Sequence, residues 1–212
     1  MVTLNQLKET VYHELGHVIV YILSNKNADT YLGNIRLIVI GEFQNYISPD
    51  QNLYYYKLTE PNNHIYENSK KIRRSICWII LQISGCLFES HYDNTDFGKL
   101  FCSKYGCNGK KDFDNLLHFR HKSSFKITDD YISKLIIVFT ELLEVHNVFE
   151  KTNDYLENFL KIHGDSNHFP FDNENLEILL NEMKEKIVST DLETDFKILI
   201  DQEEKTLLKI NY

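Results

Sequence analysis

Proline and glycine are scarce in this chain, at 3 and 8 of 212 residues. That scarcity excludes collagen-like and turn-rich repeat architectures and leaves room for long, unbroken helices. Long apolar runs are absent as well. Val18–Leu23 and Ile76–Ile83 are the longest, far short of the ~20 residues a spanning helix requires, so no membrane insertion is expected. Met1–Glu9 lacks the basic and then apolar pattern of a secretory leader. Basic residues are the minority, 23 against 31 acidic, for a formal charge of −8 and a pI near 5.6. Such a balance argues against a nucleic-acid binder. The four cysteines form no dense disulfide framework. Cys77 and Cys86 lie in an apolar stretch and read as buried thiols, while Cys102 and Cys107 have a C-x-x-x-x-C spacing that signals metal only weakly without a second pair. The expectation is a reduced, cytoplasmic protein with its own hydrophobic core.

What the sequence does contain is mostly helical periodicity. Leu4, Leu7, Val11, Leu15, Val18 and Ile22 recur at three- and four-residue spacing, predicting a helix over 3–23 capped by Thr3. From Val18 onward it is apolar on nearly every side, which implies burial all round. Ile35–Ile40 and Phe43–Ser48 read as strands joined by a turn at Gly41-Glu42, with a further short strand at Leu53–Leu58 inside a polar, Tyr-rich loop. An apolar helix is predicted from Lys71 to Glu89, with Gly85 as a close packing point. A Gly-containing loop covers 90–110. Helices follow over Asp112–His121, Thr128–Phe149, Thr152–His163, Asn173–Ser189 and Leu192–Lys209, the last opened by a Thr190-x-x-Glu193 capping box. The expected class is mainly α with one small sheet (α+β).

The chemistry is concentrated at His13-Glu14-Leu15-Gly16-His17. Residues four apart share a helix face, so both imidazoles can meet one cation. Glu14 sits about 100° round from His13, placed to act on an activated water without being a ligand. Two neutral nitrogen ligands and an adjacent carboxylate base are the set that zinc hydrolases use. A third ligand must come from elsewhere. The G-x-x-H continuation of metzincins is absent, since Val20 and Leu23 stand in its place. Acidic candidates downstream are Glu42, Glu67, Glu89, Asp93, Asp96, Asp112 and Asp114. Glu89 ends an apolar helix, and Asp112 opens another, where an Asp also serves as a dipole-stabilised cap.

The segment Thr10–Val20 resembles the zinc-site helix of the FtsH-type ATP-dependent metalloproteases. Ile35–Ile40 falls where that family has a β segment. Ile83–Glu89 is similar to a degenerate form of its second-helix motif, and Asn108–Leu116 to the loop and helix that bear its third ligand. The resemblance implies a zincin-like helical metallopeptidase core over 1–125, with a C-terminal helical region over 126–212 packed on it. It implies Zn²⁺ held by His13, His17 and Asp112, with Glu14 as the base in peptide hydrolysis. A peptide or protein is the implied substrate, bound along an edge of the Ile35–Ile40 or Phe43–Ser48 strand. No phosphate loop is present, so ATP-driven degradation would need a partner ATPase. Two alternatives stand beside this reading. One is a regulatory metalloprotease of the stress-response or repressor-cleaving kind, with Glu89 as third ligand. The other is a catalytically retired metal-binding interaction domain.

Overall fold

A computed structural model describes residues 4–33, 37–44, 52–56, 72–104, 109–163 and 168–211. The described residues include eight helices, α1 (Leu4–Ser24), α2 (Ile72–Asp93), α3 (Phe97–Leu100), α4 (Lys110–Lys122), α5 (Asp129–Val145), α6 (Val148–His163), α7 (Asn173–Lys186) and α8 (Thr190–Asn211). The expected α+β class is corrected to a helical one. The residues whose burial is described build the core from helices and the loops flanking them. The reason lies in α1 and α2. Over Val11–Ser24 and Ser75–Glu89 both are buried on nearly every side, α1 against α2, α6 and α7 and α2 also against α4, α5, α6 and α8, so helix-on-helix packing supplies the described core.

Among the described residues, strand pairing involves three short segments, β1 (Leu37–Gln44), β2 (Asn52–Tyr56) and β3 (His168–Asp172), antiparallel in the order β2-β1-β3. β1 runs straight through Gly41-Glu42, which is therefore no hairpin turn, and Phe43 continues the strand rather than starting a second one. β1 pairs with β2 through Ile40–Gln44 and with β3 through Leu37–Gly41, so only Ile40 and Gly41 are paired on both sides. Thr3, His64, Glu67, Cys107 and most of the polar loop over 48–69 lie outside the described residues.

Helix boundaries follow local chemistry. α2 continues past Glu89 to Asp93 and stops at Asn94, whose φ of 56° is left-handed; Asn tolerates that conformation best among residues with a Cβ. The helix expected over Thr128–Phe149 is two helices. Asn147, with φ 51°, breaks it, and α6 starts at Val148, absorbing the helix expected from Thr152. Thr128 caps α5, its hydroxyl accepting from the Tyr131 amide at 3.1 Å. Before α8 the cap is Ser189, which accepts from the Leu192 amide at 3.2 Å, rather than Thr190. Among the described residues no helix is long and apolar enough to cross a membrane.

Two glycines set how closely α1 and α2 approach. A Cβ on Gly16 would fall 2.8 Å from the Phe88 ring and 2.9 Å from the Ser84 carbonyl. A Cβ on Gly85 would fall 2.4 Å from His13 Nε2 and 2.6 Å from His17 Nε2. Only bare backbone fits at either place. The crossing therefore sets the two histidines directly over α2.

Candidate metal centre

His13, Glu14 and His17 are buried side by side on α1 and form a group that can hold a metal ion. Each imidazole is fixed by α2. His17 Nδ1 is 2.8 Å from the Leu81 carbonyl oxygen and 3.2 Å from Ser84 Oγ, which itself donates to the same carbonyl. A carbonyl can only accept, so Nδ1 carries the hydrogen and the lone pair of a neutral His17 lies on Nε2. His13 Nδ1 lies 3.0 Å from Glu89 Oε2, and a carboxylate there imposes the same tautomer.

The two Nε2 atoms are 3.2 Å apart. Asp112 Oδ2, from the first turn of α4, completes a triangle with them at 3.1 Å from His13 Nε2 and 3.4 Å from His17 Nε2. Three ligands bound to one tetrahedral zinc at ~2.0–2.1 Å would themselves lie about 3.3 Å apart. Two lone pairs and a carboxylate oxygen packed this tightly repel one another unless a cation sits among them. A metal ion or a proton meets that need, and the donor set is one that zinc favours. Glu14 Oε1 stands 3.8 Å from His13 Nε2, beside the triangle rather than in it.

The electrostatics of the metal-free cluster follow from the same contacts. Burial disfavours an imidazolium at His13, yet hydrogen bonds with Asp112, Cys86 and Glu89 outweigh it and hold its pKa well above the ordinary value. For Asp112, burial pushes the carboxyl up. The charges and hydrogen bonds of His17 and His13 more than offset that and hold it well below the usual carboxylate range.

The sequence-predicted residues are thus sorted by geometry. His13, Glu14, His17 and Asp112 are brought together, while Glu89 reaches His13 from the opposite edge of the ring. Glu89 is no solvated helix end: it is buried, a full turn before α2 stops. Asp112 does not cap α4; Gly109 holds that position. Asp114 points away and pairs with Lys110, and His118 and His121 are exposed. Cys102 is disulfide-bonded, so it is neither a free thiol nor a metal ligand. Sequence reasoning missed Ser84 and the Leu81 carbonyl as supports of His17; Cys86 is the buried thiol expected, but its interaction with His13 was not foreseen. The one available signal was spacing, since Cys86 and Glu89 are three apart on α2 and share a face.

No family model, curated protein or solved structure matches this chain.

Proposed function

We propose that the chain is a zinc-dependent metallopeptidase in which His13, His17 and Asp112 hold the ion and Glu14 is the general base. The observation that carries the reading is the triangle of Nε2, Nε2 and Oδ2 atoms, spaced 3.1–3.4 Å apart with both Nδ1 atoms turned to acceptors. The resemblance of Thr10–Val20 and Asn108–Leu116 to FtsH-type proteases supports the same ligand set. Bound there, zinc would supply Lewis acidity to water and to a scissile carbonyl. Glu14 then takes a proton from the attacking water and returns it to the leaving nitrogen. Glu89 holds the His13 ring in register, and Leu81 and Ser84 do the same for His17. The opposed position of Glu89, on Nδ1 rather than Nε2, disfavours the alternative in which it is the third ligand.

Elemental analysis of protein purified without added metal tests the reading. About one zinc per chain is expected, and lost in His13→Ala and His17→Ala. Folded protein with no transition metal would refute it. Glu14→Gln is expected to retain zinc while cleaving an unstructured peptide ~10²–10⁴-fold more slowly, since the amide cannot accept the proton. A variant as active as the parent would leave a metal-binding domain without this mechanism.

A further inference from the structure

Away from the metal centre, α5 and α8 enclose a groove of about 330 Å³. Val138, Leu142 and Val145 line its α5 wall at helical spacing, i, i+4 and i+7, a stripe about 10 Å or two turns long. Ile198 faces them from α8. An apolar stripe of this kind is normally covered, yet Val145 is 75% exposed and Ile198 46%. The rim has one sign. Glu141, Asp195 and Glu203 border the groove, and no lysine or arginine is among its lining residues.

We propose that this groove docks an amphipathic helix of a protein partner, with its apolar face between α5 and α8 and its flanking lysines and arginines on the acidic rim. Two helical walls around an apolar furrow suit a helix laid along them, read by anchors at i, i+3/i+4 and i+7. The charge of the occupant follows from the rim, because an acidic partner would bring like charges together as its apolar face desolvated. The same argument disfavours a second copy of this chain, which would bring an equally acidic border and an overall charge of −8. The groove shares no residue with the metal centre. Its test is therefore made on chelator-treated protein, and it stands or falls separately from the peptidase reading.

The probe is a fluorescein-labelled leucine–lysine peptide of about 18 residues, patterned to be helical only when one face is covered. Anisotropy titrations should give saturable binding of one peptide per chain, with a gain of helical circular dichroism. The double variant Val145→Ser/Ile198→Ser alters only exposed positions and should leave the protein's own helical signal intact. It should weaken binding at least about tenfold, as expected when two aliphatic anchors are shortened. Glu141→Lys should weaken it as well, and the same peptide with glutamate in place of lysine should not bind. Absence of binding would overturn the proposal. So would equal affinity for the double variant, which would mean adsorption to acidic surface alone, or equal affinity for the acidic peptide. Sedimentation showing a dimer that the double variant dissolves would assign the face to a second copy instead, against the proposal.

Discussion

Replacing Gly85 with alanine tests the site more sharply than removing a ligand, because it adds one methyl group at the centre of the helix crossing. In an isolated helix the change would be favourable by about 1 kcal/mol, since alanine is the better helix former. Here the new Cβ would fall 2.4 Å from His13 Nε2 and 2.6 Å from His17 Nε2, where ordinary contact begins at 3.4 Å. Each imidazole must retreat by about 1 Å, several times the ~0.2 Å tolerance of a metal–ligand bond. Overpacking of this kind costs ~1–3 kcal/mol. Set against the gain in propensity, the metal-free protein should lose about 0–2 kcal/mol. Zinc affinity should suffer far more. Loss of a supporting contact alone weakens metal sites 10–100-fold, so displacing two ligands should cost at least about 10²-fold. Competition against a chromophoric chelator measures the affinity, and thermal melts in excess chelator measure the stability. Gly98→Ala is the control, because its Cβ would meet nothing closer than the Asp96 carboxylate at 3.2 Å. If Gly85→Ala bound zinc as tightly as the parent, the two Nε2 atoms would not be the ligands and the centre would have to be redrawn.

Asp112→Ala should lower zinc affinity by orders of magnitude, whereas Asp114→Ala, which loses only an exposed pair with Lys110, should leave it nearly unchanged in the same titration. Glu89→Gln should weaken zinc by a more modest ~10–100-fold, as loss of a ring-orienting carboxylate does; if it released zinc while Asp112→Ala retained it, Glu89 would be the ligand. Thr128→Ala should cost about 1 kcal/mol in denaturant unfolding, with no effect on metal, because it removes only the cap on the Tyr131 amide.

The α1 half of the centre was legible because it needs only one helix: an i, i+4 pair of histidines with a carboxylate between them is a statement about 3.6 residues per turn. Asp112 was harder. Spacing left seven acidic candidates, and the resemblance of its surroundings singled it out. The role of Glu89 was hidden for a different reason. Ligand and ring-orienting carboxylate differ only in which imidazole nitrogen they face, and that depends on how α2 crosses α1. Gly85 stood out as a packing point, but its neighbours belong to another helix and could not be named. At the level of the fold, the β-branched run at Ile35–Ile40 suggested a sheet in the architecture. The class was decided instead by α1 and α2, whose apolar surfaces satisfy each other. The break at Asn147 was missed because the apolar period runs on through Val148 and Phe149, and only the left-handed conformation interrupts it.

The triangle of acceptors leaves a choice of cation, and pH distinguishes the two occupants. With no metal bound, a proton between His13 Nε2 and Asp112 Oδ2, 3.1 Å apart, would serve as that cation. Because His13 has a raised pKa, its contribution to stability is complete below the ordinary histidine value of 6.5 and is lost as pH rises through the folded value. Asp112 is depressed, so its contribution is complete above the ordinary 3.8 and is lost as pH falls through the folded value. Chelator-treated protein should therefore draw most from this pair between about pH 3.8 and 6.5. The contribution fades on the alkaline side as the lone pairs are left facing one another. Zinc bound there would replace the proton, so with zinc present the alkaline decline should vanish and binding should release a proton at neutral pH. Unfolding curves across that range, with and without zinc, read both effects. Identical alkaline behaviour in chelator and in zinc would mean that the ion does not enter the triangle.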